Sequence, residues 1–338
     1  GFLLYGLSND KILSISIDKD NLDSDNWVFK PNSQISFINR IVSLSKPLNS
    51  LCYKIYQGFV LTPTEVFPVS IEGEHDSYYK IKPIKIDNVI YEIEKDLLVP
   101  IVKSSCIFRY HFEIKNYHSV FPYRYVNDKT VELISESILK DKYPKGLNYL
   151  KSKSEYLKSR EKGKWSSSPN WYEYSRKQNF ECQKMKKILV PGLATNARYT
   201  LADENTFIDQ GSYGIILNEN NKQFEKFVLG VLNSKLLDFI FKSGSSTLSG
   251  GYYSYQTKYL NDLPIKLPKT SDEKVIHDEI VKNVDLLLKL YDDLQSKTDA
   301  GKIEQLQGMI AFAEQKINEI VYLLYGLSKE EIQIIENQ

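Results

Sequence analysis

FVLGVLNSKLLDFIFKSGSSTLSGGYYSYQTKYLNDLPI, residues 227–265, joins a helical stripe, a glycine stop and a glycine turn in one short stretch. With the residues just before it, Phe224, Phe227, Val228, Val231, Leu232, Phe239 and Ile240 recur on one helical face, which predicts a helix over Gln223–Lys242 stopped by Gly244. Gly250 and Gly251 read as a backbone turn requiring positive φ rather than as a phosphate cradle. Upstream, Lys187–Pro191 and Thr206–Leu217 are strand candidates, the second punctuated by Gly211 and Gly214. KILSISID (Lys11–Asp18) and YKIKPIKI (Tyr79–Ile86) alternate apolar with polar residues, and Pro83 assigns the latter to a sheet edge. Trp27–Leu44 is more helical, with Phe37, Ile38, Ile41 and Val42 on one face and Pro47 closing the segment. Strands and helices mix without regular β-α-β alternation, so the expected class is α+β rather than a doubly wound sheet.

Past Pro268 the pattern changes. Ile280, Val284, Leu287, Tyr291 and Leu294 repeat at steps of four and three, and Ile303, Leu306, Ile310, Ala313, Ile317, Ile320 and Leu324 do the same. Thr270 with Glu273 forms a capping-box signature, and the polar break Lys297–Gly301 makes an antiparallel helical hairpin the economical arrangement. Ser328 with Glu331 repeats the signature and predicts a last short helix.

The chain has 338 residues, 42% hydrophobic, a composition that excludes disorder and collagen-like structure. It exceeds the roughly 250–300 residues at which one core usually splits, so two folding units are expected. No apolar run approaches the roughly 20 residues of a membrane helix, and no signal-peptide core follows Gly1, so a soluble part of a longer protein is expected. Cys52, Cys106 and Cys182 are odd in number and far apart, which encodes neither a disulfide framework nor a zinc knuckle and fits a reducing cytoplasm.

The formal net charge of +1 hides a segregation. Residues 140–187 hold 14 Lys or Arg against 5 Asp or Glu, whereas residues 270–338 hold 7 against 14. The basic stretch also carries Tyr143, Tyr149, Tyr156, Trp165, Trp171, Tyr172 and Tyr174. Interleaved cations and rings suit phosphate neutralisation with base stacking. They equally suit a solvated helix with lysines outward and aromatics turned inward. The acidic hairpin argues against phosphate contact there.

No two prolines are adjacent, which removes the Asn/Asp-Pro-Pro-aromatic motif of adenine methyltransferases, and G-x-G, Walker-type and G-x-S-x-G signatures are absent. The four histidines form no H-E-x-x-H, and no metal is assigned. Asp96, Glu113 and Lys115 make only the loose outline of a magnesium-dependent nuclease.

Several stretches together resemble one family. The run beginning YPKGLNYLKSKSEYLKSREKGKW at Tyr143 and ending FIDQGSYGIIL at Leu217, followed by residues 227–265, is similar to the TaqI-like C-terminal specificity domain of Type II adenine-specific methyltransferases and Type IIG restriction-modification enzymes. YKIYQGFVLTPTEVF (Tyr53–Phe67), LLVPIVKSSCIFRYHF (Leu97–Phe112) and INEIVYLLYGLSKEEIQIIE (Ile317–Glu336) resemble further parts of those enzymes. One departure is that the turn at Arg109, preceded by Gly and Asp in the family, here follows Ser104, Ser105, Cys106 and Ile107.

The resemblance implies a division into residues 1–26, the end of an upstream methyltransferase core or linker; 27–268, a mixed strand and helix DNA target-recognition domain; and 269–338, the helical hairpin with a terminal helix. It implies double-stranded DNA and the upstream methyltransferase domain as partners, with no membrane. No cofactor is expected in this chain, whereas the parent would use S-adenosylmethionine, and magnesium if it also carries a nuclease. The chain itself is then expected to be inactive. Base reading needs polar, loop-borne side chains, with more numerous phosphate contacts fixing register. Candidates for base or backbone contact are Arg109, Tyr110, Arg176, Gln178, Asn179, Asn196, Arg198, Tyr252 and Lys258; candidates for phosphate contact are Lys151, Lys153, Lys158 and Arg160. Two other functions stay open: a magnesium-dependent nuclease using Asp96, Glu113 and Lys115, and a protein-docking module using the acidic hairpin.

Overall fold

The computed structural model of the chain describes residues 2–8, 11–17, 32–127, 130–218, 221–296 and 299–337. They fall into two units, Lys54–Leu193 with Arg198–Ile216, and Gly1–Tyr53 with Ala194–Ala197 and Leu217–Gln338. These units interleave along the chain and so do not coincide with divisions at residues 26 and 268. Each contains strands and helices, and the class is α+β.

The unit starting at Lys54 holds a six-stranded sheet in the order Phe207–Ile208, Leu98–Val102, His118–Val120, Pro68–Glu74, Tyr78–Pro83, Tyr91–Glu94. Its first two strands run parallel and the remaining neighbours antiparallel. The strand expected at a sheet edge therefore lies one place inside it. Pro83 is tolerated because the ladder to Tyr91–Glu94 ends at Ile81↔Tyr91, before Pro83 has to supply an N–H. A second sheet has the order Thr200–Ala202, Lys187–Pro191, Ser212–Leu217, Cys52–Gln57.

The single strand expected over Thr206–Leu217 is two strands in different sheets. Between them the Asp209 carboxylate accepts from Gly211 N at 3.0 Å, and Ser212 N donates to Asp209 O at 3.0 Å, closing a turn that redirects the chain. The larger core is aromatic: Tyr174 stacks on Phe59 at 5.8 Å and meets Phe67 edge-on at 4.1 Å, with Phe121, Phe180 and Phe207 packed around.

Helices Glu136–Lys142, Pro144–Ser152 and Ser154–Gly163 follow. The second begins where the Glu94 carboxylate accepts from Lys145 N and Gly146 N at 2.9 and 2.8 Å, so a sheet-borne anion satisfies helix-end donors. The third loses helical geometry at Arg160, whose ψ is 157°, and Glu161 and Lys162 have φ of 51° and 59°.

In the other unit, Lys11–Ile17 is a strand as expected and pairs antiparallel with Phe2–Ser8. Helix Asn32–Ser43 buries Phe37 and Ile41, whereas Val42 is exposed; the earlier part of the expected segment, from Trp27, lies outside the described residues. The helix expected over Gln223–Lys242 is two, Lys222–Leu232 and Lys235–Gly244. Asn233 caps the end of one and Ser234 the start of the next, the Ser234 hydroxyl accepting from Leu237 N, while Asn318 Oδ1 accepts from Lys235 N at 2.9 Å. Gly230 sits where a Cβ would come within 2.6 Å of Ile280, so its missing side chain permits close helix contact.

The helical pair is Ser271–Gln295 and Ala300–Tyr325, both capping boxes are present as expected, and Lys329–Glu336 is the last helix. Gly301 lies inside the second helix, because Asp299 caps its start. Gly250 and Gly251 have φ of 78° and 74°, so they are the conformational turn that the sequence predicts.

Candidate nucleic-acid interface

The aromatics of the basic stretch are mostly turned inward. Tyr149, Trp165, Trp171, Tyr172 and Tyr174 are buried, while Tyr156 is exposed. Tyr174 shows why: its hydroxyl lies 2.6 Å from Val120 O and 2.7 Å from Ser119 Oγ, and its N–H donates to Tyr123 Oη at 2.7 Å. Rings engaged in this way cannot stack on bases.

The four phosphate-contact candidates separate. Lys153 is 6% exposed and donates to the Asp87 carboxylate and to Tyr91 Oη at 2.7 Å. Burial lowers its pKa, but the hydrogen bonds it donates to Asp87 and Tyr91, with the Asp87 charge, outweigh this and leave the ammonium above the ordinary lysine value. Arg160 Nη2 donates to Trp171 O and Glu173 O at 3.3 and 2.6 Å, and the guanidinium lies 4.3 Å from the Trp165 ring centroid. Burial lowers its pKa. Both side chains brace the fold, which corrects their assignment as phosphate contacts. Lys151 is exposed and pairs with Glu136 at 2.9 Å. Lys158 is half-buried, with Nζ 5.4 Å from the Trp171 ring centroid.

Tyr110 is also corrected, since it is 2% exposed, with φ of 63°, and its N–H donates to Tyr199 O at 2.9 Å. That bond brings Arg109 and Arg198 onto adjoining loops, both half-buried. Gln178 Nε2 and Asn179 Nδ2 donate to Gly58 O and Gln57 O at 3.4 and 2.9 Å, holding the loop after Cys52–Gln57. Arg176, beside them, is exposed and has no hydrogen bond or ion pair among the described residues.

The remaining candidates are in the other unit. Asn196 is exposed and accepts from Lys242 Nζ at 2.8 Å, Tyr252 is exposed after the glycine turn, and Lys258 is exposed with Nζ 4.5 Å from the Tyr259 ring centroid.

Sequence reasoning missed a two-stranded antiparallel ribbon, Tyr123–Asn127 with Thr130–Leu133. Its signal was present, because YRYVN and TVEL both alternate around an Asn-Asp pair. The Tyr125 hydroxyl donates to Phe180 O at 2.8 Å and Lys184 Nζ lies 4.3 Å from the Tyr125 ring centroid, so the ribbon lies beside the segment that carries Arg176. Between them is a cleft of about 290 Å³ lined by Tyr123, Thr130, Val131, Leu133, Lys177, Phe180 and Glu181. This margin combines exposed cations with outward-facing polar side chains, the combination that DNA contact requires.

The nuclease triplet gains nothing from the fold. Asp96 is exposed on a short 3-10 turn, Glu113 pairs with Lys115 at 3.3 Å, and among the described residues no group of three or more His, Cys, Asp or Glu could hold a metal. In the helical pair Ile280, Val284, Leu287, Ile310, Ala313, Ile317, Ile320 and Leu324 are buried, whereas Tyr291, Leu294, Ile303 and Leu306, toward the connection between the helices, are half-buried, so most of the repeat that suggested a docking surface packs within the fold. Among the described residues no helix is long and apolar enough to cross a membrane.

Residues 100–265 match the family described as TaqI-like C-terminal specificity domain. The chain is 26% identical over 310 residues to the Type II restriction enzyme and methyltransferase RM.Eco57I of Escherichia coli, covering 86% of this chain and 30% of that protein. It is 28% identical over 192 residues to the Type II methyltransferase M.BanIII of Aneurinibacillus aneurinilyticus, covering 55% of this chain and 30% of that protein. A solved structure of the Type IIL restriction-modification enzyme MmeI in complex with DNA superposes over 99% of this chain and 41% of its own, with a TM-score of 0.54 at 13% identity. The chain thus spans less than a third of the length of the two curated relatives, RM.Eco57I and M.BanIII.

Proposed function

We propose, from the match of residues 100–265 to the TaqI-like C-terminal specificity domain family, that this chain reads DNA sequence for an N6-adenine methyltransferase or restriction-modification enzyme. The observation that carries the reading is that the family match spans residues 140–187, which hold 14 of the 44 Lys and Arg. A local positive field attracts a polyanion even when the whole chain is nearly neutral. An upstream domain would bind S-adenosylmethionine and flip the target adenine, while this part selects the site. The cofactor and the catalytic partner are thus assigned to the parent protein, in the cytoplasm, and residues 27–268 are proposed as the recognition part with 269–338 as its helical appendage.

The side chains proposed to meet DNA are Arg109, Arg176 and Arg198, with Asn196, Tyr252 and Lys258 supporting and Lys151 and Lys158 at phosphates. All are exposed or half-buried. No specific observation favours the nuclease or docking alternatives.

The test is fluorescence-anisotropy binding to mixed-sequence and cognate duplexes across a salt series, with a methylation assay on the same sample. The expected result is affinity that falls linearly in log–log form with salt, and methyl transfer only when the catalytic domain is present. Salt-independent binding, or none by the full-length protein, refutes the reading.

A further inference from the structure

We infer that the outer face of the ribbon Tyr123–Asn127/Thr130–Leu133 reads a G·C base pair through Arg124 and Glu132, an inference that rests on the DNA-reading function proposed above. Alternation holds over Tyr123–Tyr125 and Val131–Leu133, and the register shifts between Tyr125 and Asn127 toward the exposed end of the ribbon. Tyr123, Tyr125, Val131 and Leu133 pack against the aromatic core, which leaves Arg124, Val126, Thr130 and Glu132 exposed on the opposite face. The inner face is held by two hydrogen bonds, Tyr174 N to Tyr123 Oη at 2.7 Å and Tyr125 Oη to Phe180 O at 2.8 Å. The outer side chains therefore stand on a fixed platform.

Among the described residues the ribbon is a sheet of two strands. Two strands about 4.8 Å apart fit a major groove roughly 12 Å wide, which admits a two-stranded ribbon as readily as a helix. Arg124 and Glu132 are directly opposed in register, and Arg124 Nη2 donates to Glu132 Oε2 at 3.2 Å. Their side chains are 54% and 49% exposed, so the pair contributes little to folding and both groups retain hydrogen-bonding capacity toward solvent. A donor fork beside an acceptor is the complement of a G·C edge, where guanine presents O6 and N7 as acceptors and cytosine presents an amino donor. Lys184, with Nζ 4.3 Å from the Tyr125 ring centroid, and the exposed Arg176 on the neighbouring segment add positive charge beside the ribbon, which favours approach of phosphates.

The experiment is selection of bound and modified sites from randomised duplexes by the full-length protein, comparing wild type, Arg124→Ala and the exchange Arg124→Glu/Glu132→Arg. Because the pair is exposed, both variants are expected to keep the wild-type unfolding midpoint. Arg124→Ala should relax preference at one G·C position by about 10- to 100-fold while other positions hold. The exchange should alter the preferred base at that same position. An unchanged motif in both variants overturns the inference but leaves the proposed function intact. Uniform weakening across all sequences, with a shallower salt slope, also overturns it by making Arg124 a phosphate contact. If wild type itself selects no motif, the underlying DNA-reading function fails first.

Discussion

Replacing Lys153 by methionine separates a framework lysine from a phosphate-binding one. The side chain is 6% exposed and its ammonium meets Asp87 and Tyr91 Oη, so methionine fills the space but strips Asp87 of its cation. Breaking a fully buried pair costs about 3–5 kcal/mol, and an exposed pair is worth about 0–1 kcal/mol. Asp87 keeps 27% of its side chain in solvent and still accepts from Val89 N at 3.1 Å, so its carboxylate is partly rehydrated. The loss should therefore be about 2 kcal/mol, and about 3 kcal/mol for alanine, which also removes the alkyl stem. Urea unfolding followed by tryptophan fluorescence reads this as a midpoint lower by roughly 1 M. The salt slope of DNA binding should stay unchanged in the methionine variant, whereas loss of a true phosphate contact reduces it by about 0.9. An unaltered unfolding midpoint together with that shallower slope would refute the argument.

Two further outcomes follow from the same unit. A Cβ at position 58 would overlap the backbone carbonyl of Asp209, so Gly58→Ala should lower stability by about 2–3 kcal/mol and show as reduced soluble yield and an earlier thermal transition. Lys187 is buried with its Nζ donating to Gln183 O and Thr206 O at 2.9 and 3.0 Å, and burial lowers its pKa from 10.5 to about 7. Between those two values the unfolded chain holds a proton that the folded chain has released, so stability should rise with pH across that window, by at most about 1.4 kcal/mol per unit. Below about 7 the contribution is constant. Urea midpoints measured from pH 6 to 10 should show this rise in wild type and a flatter profile in Lys187→Met; identical profiles would remove Lys187 as the cause.

The helical pair, both capping boxes, the Gly250–Gly251 turn and the strand Lys187–Pro191 were legible from spacing alone. Periodicity, caps and positive-φ turns are properties of a few neighbouring residues. The helix expected over Gln223–Lys242 failed for the complementary reason. Its apolar stripe runs on through Asn233 and Ser234, but Ser234 caps a second helix whose first N–H is taken by Asn318, 83 residues away. The segment Thr206–Leu217 likewise reads as one strand until the Asp209 turn delivers its halves to different sheets.

The site was legible in kind and not in detail. Residues 140–187 announce a concentration of positive charge, and the proposed DNA-reading function gives that charge a polyanionic partner. Which cations are available to a partner was decided by folding: Lys153 is paired with Asp87, 66 residues distant, and Arg160 donates to carbonyls that only the turn after Ser159 brings within reach. Arg124 and Glu132 become a donor–acceptor pair only through strand register. Spacing along a chain fixes period and local charge, whereas solvent exposure and hydrogen-bond partnership depend on which distant segments pack against a side chain, and those contacts exist only in the folded state.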